Sequence, residues 1–171
     1  MQCKIPNGAI SNTSLASKAY NQQENNMNVT YRQMNKDDIQ RVIPMFVEYW
    51  NSTGDQWTPD LVYKRIWQVL GSPDSYCLIA EIGNQPIAFA MGRMETFFDL
   101  TAYNLAEIVV ASAYQNKGVG TQMMAELERR VKQMGVATLQ LSAINDEMHE
   151  HFYGKLGYKD ATNFKHKFKF L

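Results

Sequence analysis

The pattern of apolar and polar positions predicts alternating strands and helices from about residue 28 onward. Runs of alternating or continuous apolar residues predict five strands, at 29–32, 76–82, 87–95, 103–110 and 139–143. Apolar residues at helical spacing predict four helices, over 39–50, 59–70, 119–134 and 145–156. Phe164, Phe168 and Phe170 alternate with lysines and predict a last strand. This order of elements indicates an α/β protein.

Local signals fix where these elements begin and end. Asp37 or Asp38 can cap the first helix, and Pro44 should kink that helix or else mark its first turn. Thr58 is followed by Pro59, a pair typical of a helix start. The 83–84 dipeptide, Gly-Asn, predicts a two-residue hairpin turn.

Residues 1–26 differ from the rest of the chain. They are dominated by Asn, Gln and Ser, and their few apolar residues show no period. Such a segment buries too little apolar surface to offset its ordering entropy, so we expect a disordered leader before a single domain at 27–171. A functional arm over 1–26, or a true start at Met27, stay open as alternatives.

Composition excludes some classes of function. Seventeen basic and seventeen acidic side chains cancel, which argues against bulk attraction to nucleic acid or acidic membranes. Two cysteines argue against a disulfide framework, and no apolar run approaches the ~20 residues of a membrane span. We therefore expect a cytoplasmic protein. His149 and His151 form no recognisable set of metal ligands and are interpreted as surface residues of a helix.

The run 115–120, Gln-Asn-Lys-Gly-Val-Gly, carries the most chemical information. It follows a predicted strand and opens a predicted helix, so several backbone N–H groups and the positive end of the helix dipole point at one spot. Gly118 and Gly120 leave no Cβ to obstruct a ligand. The loop suits a phosphate or pyrophosphate.

Two common phosphate loops do not fit this run. A nucleoside-triphosphatase loop ends in Gly-Lys-Ser/Thr, whereas Lys117 precedes Gly118, and a dinucleotide fingerprint needs three glycines. The run instead resembles the acyl-CoA loop Gln/Arg-x-x-Gly-x-Gly/Ala of the GCN5-related N-acetyltransferase (GNAT) family. Gln115, Gly118 and Gly120 occupy its three fixed positions. The family's order of elements, β-α-α-β-β-β-α-β-α-β, is also the order predicted here from about residue 28 to residue 170.

The resemblance implies a mixed central sheet with helices on both faces and two parallel strands that splay apart at the CoA site. Acetyl-CoA is the implied cofactor, with its pantetheine arm in the gap. The implied cofactor-binding residues follow the family motif and its flanking strand: Val109, Val110, Gln115, Asn116, Lys117, Gly118, Val119, Gly120, Thr121 and Asn145. Asn145 could instead be a helix cap.

Two residues are predicted to be catalytic. Tyr153 lies in the run 152–158, Phe-Tyr-Gly-Lys-Leu-Gly-Tyr, which resembles a family signature, and its phenol could protonate or stabilise the departing thiolate. Glu107 lies where many family members carry a carboxylate, between apolar neighbours that would raise its pKa, so it is the candidate base for the acceptor amine. Tyr153 could instead be a packed aromatic residue, and Glu107 a solvent-facing one.

The acceptor site is expected at the loop between the first two helices and at the tips of the middle strands. Its candidates are Asp55, Trp57, Glu95 and Phe98, with Glu95 as the reserve base. The predicted function is acetyl transfer from acetyl-CoA to a primary amine, on a small molecule, by direct attack in a ternary complex. A CoA-binding sensor without turnover, and an enzyme acting on a protein or tRNA, are the alternatives. A homodimer, frequent in the family, is also left open.

Overall fold

The apolar runs in the middle of the chain form one sheet. A computed structural model describes residues 28–162 and 166–171. Its strands are β1 (Val29–Gln33), β2 (Ser75–Ile82), β3 (Gln85–Thr96), β4 (Thr101–Val110) and β5 (Thr138–Leu141). They lie in the order β1-β2-β3-β4-β5, antiparallel except for the parallel pair β4 and β5. The sheet is therefore mixed, as predicted.

Among the described residues, four α-helices cover the sheet. They are α1 (Ile39–Ser52), α2 (Pro59–Leu70), α3 (Val119–Gln133) and α4 (Glu147–Lys155). The side chain of Thr58 caps α2, and Pro59 stands in its first turn, both as predicted. Pro44 lies inside α1, so the first-turn alternative is wrong. Within the described residues, no helix combines the length and the apolar character that a membrane crossing requires.

The apolar side chains divide between the two faces of the sheet. On one face, the buried stripes of α1 and α2 pack on residues such as Ile79, Phe89 and Val109. On the other, the stripe of α3 packs on residues such as Leu78 and Tyr103. Helices cover both faces, which confirms the predicted fold class and leaves the β4–β5 edge between the two helical layers.

The start of α1 differs from the prediction. Asn35 caps a short 3-10 turn over Lys36–Asp38 that leads into the helix, and neither aspartate caps α1 through its side chain. The carboxylate of Asp38 is instead bound by Arg32 and Arg41, each at 2.7 Å. Because these two guanidinium groups stabilise its charged form, the pKa of Asp38 falls to about 2.

A β-bulge interrupts the pairing of β3 with β4. Met91 pairs with Glu107 and Gly92 with Leu105, so Ala106 is the extra residue. Gly92 allows this close approach, because a Cβ there would lie 2.3 Å from the carbonyl oxygen of Asn104. A bulge shifts the facing of every later side chain in its strand by one residue. This shift determines which residues of β4 face which helices.

Two predictions concern the ends of the chain, namely a disordered leader and a last strand. The predicted leader at 1–26 and Phe164 of the predicted last strand lie outside the described residues. Residues 166–171 are described and form no strand, and the side chains of Phe168 and Phe170 are exposed. The last strand is therefore wrong for those residues. Alternation gives a segment strand propensity, but a strand also needs a partner for its backbone groups.

Candidate active site

The loop between β4 and α3 presents free backbone donors. Gly118 precedes α3 with a φ of 77°, and Asn116 also has a positive φ, of 58°. The first hydrogen bond of the helix runs from the N–H of Gln122 to the carbonyl oxygen of Gly118 at 3.0 Å. The N–H groups of the preceding turn, at 119–121, have no partner within the helix and point out of its N-terminus. This geometry suits a phosphate group.

Two contacts hold the loop against β4. The side-chain amide of Gln115 donates to the carbonyl oxygen of Val110 at 3.0 Å. A Cβ at Gly120 would lie 3.4 Å from the ring of Phe152 and 3.7 Å from Val110 Cγ2, so the helix start packs closely on the strand. Lys117 places its ammonium over the ring of Tyr114, at 5.9 Å from the centroid. The loop is thus a built structure at the end of β4.

The parallel strands part where the site begins. β4 and β5 pair from Ala102 with Thr138 as far as Leu105 with Leu141. There β5 ends, while β4 continues to Val110. The second half of β4 therefore has an open edge, which confirms the predicted splay.

The hydrogen bonds of β4 decide which backbone groups face that edge. The N–H of Ala111 donates to the carbonyl oxygen of Ile87 at 2.9 Å, and Val109 is paired with Phe89 two residues earlier. Because hydrogen-bonded pairs recur at every second residue of an antiparallel ladder, the main chain of Val109 faces β3. The predicted contact between the main chain of Val109 and the cofactor is therefore wrong. The groups of Ile108 and Val110 face the open edge, and Ile108 was not predicted.

The bulge at Ala106 sets the face of Glu107. Before the bulge, Tyr103 and Leu105 pack on the α3 face, and after it Ile108 and Val110 do so. Glu107 consequently points to the opposite face, toward α2. Its side chain is 11% exposed, so the solvent-facing alternative is wrong.

Glu107 is held by an arginine that sequence analysis did not single out. Both Nε and Nη2 of Arg65, on α2, lie 2.9 Å from Glu107 Oε1. Burial raises the pKa of Glu107, and the charge and hydrogen bond of Arg65 lower it in part; the net direction is upward. A carboxyl group with a raised pKa is a stronger base near neutral pH than an ordinary glutamate.

Tyr153 lies near Glu107, together with a second tyrosine. Burial, followed by the charges of Tyr49 and Glu107, raises the pKa of Tyr153 to about 12. The pKa of Tyr49, on α1, is raised by burial and by the charges of Asp146 and Glu107. Tyr49 on α1, Glu107 on β4 and Tyr153 on α4 are thus close enough for their charges to interact. Tyr49 was not predicted.

The start of α4 also differs from the prediction. Asp146, rather than Asn145, caps the helix by accepting from the N–H of His149 at 2.8 Å. The Nδ1 atom of His149 lies 2.8 Å from the same Asp146 oxygen, and the imidazole stacks on Tyr153 with centroids 6.5 Å apart. The side chain of His149 is 16% exposed and lies at the edge of the surface, whereas His151 is exposed, as predicted. Within the described chain, no group of three metal-ligating side chains forms.

A cavity of about 770 Å³ opens beside Tyr153, along the free edge of β5. Asn145 and Tyr153 line it, together with the carboxylates of Asp99, Glu150 and Asp160. The lining carries a net negative charge, because these three carboxylates face a single cationic side chain, Lys159, among the described residues that line the cavity.

The four predicted acceptor residues fall into separate places. Asp55 accepts from the indole N–H of Trp57 at 3.0 Å, and the Trp57 ring packs edge-on against Phe46 in the core. Glu95 is bound by three side chains: Arg93, Asn104 and Gln140. Phe98 is fully exposed. Among residues 28–162, no hydrogen bond or ring contact joins Asp55 and Trp57 to Glu95 or Phe98.

The geometry agrees with a comparison of the chain with known protein families. The sequence profile of the acetyltransferase (GNAT) family matches residues 42–158, more than half of the chain. The chain belongs to the GNAT acetyltransferase family. The match runs from α1, through the loop at 115–120, to the end of the run 152–158 that contains Tyr153. No curated protein sequence matches the chain.

Solved structures share the GNAT fold at low identity. The aminoglycoside N-acetyltransferase AAC(6')-Iy in complex with CoA is 17% identical, with a TM-score of 0.67 over 83% of this chain and 95% of that one. Glucosamine-6-phosphate N-acetyltransferase from Arabidopsis thaliana is 18% identical, with a TM-score of 0.61 over 82% and 98%. An aminoglycoside acetyltransferase from an uncultured soil metagenomic sample, in complex with sisomicin, is 11% identical, with a TM-score of 0.68 over 84% and 96%.

Proposed function

We propose that this GNAT protein transfers an acetyl group from acetyl-CoA to a primary amine of a small molecule. The observation that carries the proposal is the grouping of Glu107 and Tyr153 beside the stretch of β4 that β5 leaves open. A base for the amine and a hydrogen-bond donor for the leaving thiolate then lie next to a strand edge that can hold acetyl-CoA.

The donor site is assigned to the open edge and the loop that follows it. The pantetheine arm pairs with the outward-facing main chain of Ile108 and Val110, as an added strand would. The pyrophosphate binds the N–H groups at 118–121, with Lys117 as the nearby cation. Asn145, which lines the adjoining cavity, is a further contact for CoA. The fold shared with AAC(6')-Iy, solved with CoA, supports this assignment.

The proposed reaction needs no covalent enzyme intermediate. Glu107 removes a proton from the amine, directly or through a water, and the amine nitrogen attacks the thioester carbon. An outward-facing N–H of β4 stabilises the oxyanion. The C–S bond then breaks, and the thiolate leaves hydrogen-bonded to Tyr153. The second proton of the nitrogen passes through water to the thiolate, which gives the amide and the free CoA thiol. Holding both substrates in one geometry supplies much of the rate.

The acceptor is assigned to a cationic small molecule. Three carboxylates line the cavity beside Tyr153, and an acidic lining attracts an amine that carries further positive charges. Aminoglycoside and aminosugar acetyltransferases among the structural neighbours support a small acceptor. Glu95 and Phe98 lie at the strand tips on the cavity side, where Gln140 and Phe97 line it. Asp55 and Trp57 stay candidates at the opposite loop.

The test is release of free thiol from acetyl-CoA across a panel of polyamines, aminoglycosides, aminosugars, amino acids and short peptides. The proposal expects turnover with at least one small amine, and loss of that turnover in Glu107→Gln and Tyr153→Phe, both of which should still bind CoA. Silence across the panel, with CoA binding intact, would instead indicate a sensor module or a macromolecular acceptor.

A further inference from the structure

The contact between Arg65 and Glu107 is asymmetric. Nε and Nη2 of Arg65 both lie 2.9 Å from Oε1 of Glu107. A fork of two donors usually engages both oxygens of a carboxylate. Here Nε donates to Oε1, Nη2 lies closest to that same oxygen, and Oε2 has no hydrogen-bond partner among the described residues. Oε2 is also open to solvent. If it were fully buried it would be an unpaired buried oxygen, and in the described chain the one buried side-chain nitrogen or oxygen without a partner is Trp50 Nε1.

Arg65 is placed for this contact by α2. It lies next to Ile66 and three residues after Val62, two side chains that are fully buried against the sheet. Arg65 therefore stands at the border of the buried stripe, with its side chain about one-third exposed. The stem of an arginine at such a border packs on apolar neighbours, while its guanidinium group stays free to bind a carboxylate.

We propose that Arg65 is a positioning residue of the active site: its guanidinium fixes Oε1 of Glu107 and leaves Oε2 as the oxygen that accepts the proton of the amine. The inference rests on the proposed function only in taking an amine as the source of the proton. The fixed carboxylate and its free oxygen stand on the geometry alone.

The groups around Glu107 make Arg65 the source of its positive field. Tyr49 approaches from α1 and Tyr153 from α4, and burial raises the pKa of both phenols, so both are neutral near pH 7. Asp146, which precedes α4, is a negative charge near Tyr49. Within the described chain, Arg65 is the one cation bonded to Glu107.

Loss of Arg65 should therefore change the pH dependence as well as the rate. Burial raises the pKa of Glu107 and Arg65 opposes that rise, so the pKa should climb further in Arg65→Gln. A base works only when deprotonated, so the acidic limb of kcat/KM should move to higher pH by about one unit. Below both midpoints the variant should be about tenfold slower, beyond any loss of positioning, and it should recover as pH rises. Arg65→Lys, which keeps the charge, should move the limb by less.

The experiment measures kcat/KM against pH for the parent, Arg65→Gln and Arg65→Lys, with Arg129→Gln as the matched control. Arg129 also binds a glutamate, Glu126 at 2.8 Å, but on the exposed side of α3. The control should keep the parental profile. A uniform fall in kcat/KM at every pH, with an unmoved acidic limb in Arg65→Gln, would overturn the proposal in favour of a structural role.

A second measurement separates this proposal from the proposed function. NMR titration of protein labelled at the glutamate side-chain carboxyl carbon reports the pKa of Glu107 without turnover, with the resonance assigned by its absence in Glu107→Gln. The pKa should be higher in Arg65→Gln than in the parent, and equal values would refute the role of Arg65. A parent that is inactive on every amine would refute the proposed function, and the titration would still decide for or against Arg65.

Discussion

Tyr153→Phe should abolish most of the activity without affecting the fold. The Tyr153 ring packs near Phe152, Tyr158 and His149, with centroids 5.0, 5.6 and 6.5 Å away, and phenylalanine keeps all three contacts. The hydroxyl has no hydrogen-bond partner within residues 28–162. Its removal should therefore change the free energy of unfolding by no more than about 0.5 kcal/mol.

The size of the catalytic loss follows from the raised pKa of Tyr153, about 12. A thiol has an ordinary pKa of about 8.5, so full proton transfer from this phenol to a thiolate is uphill by about 5 kcal/mol. Tyr153 therefore acts by donating a hydrogen bond to the developing negative charge. One such donor in a desolvated site contributes about 10²–10³ in kcat, and we expect a loss of that size.

The assay compares kcat and urea unfolding for Tyr153→Phe and the matched variant Tyr158→Phe. The hydroxyl of Tyr158 donates to Glu128 at 2.8 Å, so its loss should cost about 1 kcal/mol of stability and much less activity. The reasoning would be refuted if Tyr153→Phe kept near-parental kcat, or if its activity fell only in step with its stability.

Three further predictions concern the scaffold of the site. Gly92→Ala should destabilise the protein by about 3 kcal/mol in urea unfolding, because the added Cβ would lie 2.3 Å from the carbonyl oxygen of Asn104. A variant as stable as the parent would contradict this close approach. Gly118→Ala should weaken CoA binding in calorimetry, since its φ of 77° strains any Cβ, whereas Gly120→Ala should bind CoA nearly as the parent does; equal losses would argue against the loop geometry. Asp38 has a pKa lowered to about 2, so its contribution of at most about 2 kcal/mol is complete above its unfolded pKa and is lost as pH falls toward 2; Asp38→Asn should flatten that part of the stability–pH curve, and an unchanged curve would contradict it.

The fold could be predicted because its signals are local and mutually consistent. Thr58 with Pro59 starts a helix wherever it occurs after a loop, and Gly83 before Asn84 turns a hairpin without help from distant residues. The loop at 115–120 was equally legible, because the donors that it presents are backbone groups that Gly118 leaves accessible. The last strand failed for the converse reason: the alternation of Phe168 and Phe170 is local, but strand pairing is not.

The detail of the site could not be predicted, because it depends on one extra residue. Ala106 shifts the facing of everything after it in β4, and no periodicity announces such a shift in advance. The shift turns the side chain of Glu107 toward α2. It also places the main chain of Ile108, rather than that of Val109, at the open edge. A signal for Arg65 was present, since a charged residue beside the buried stripe of a helix suggests a partner across the interface.

The most direct test of the account follows both products of one reaction. Acetyl-CoA and an active amine from the panel are mixed with the protein, and free CoA and acetylated amine are quantified together while both substrate concentrations are varied. Direct attack predicts one acetylated amine for each CoA released, with initial-rate lines that intersect. Release of CoA without acetylated amine, or parallel lines with the acetyl group found on the protein, would contradict it.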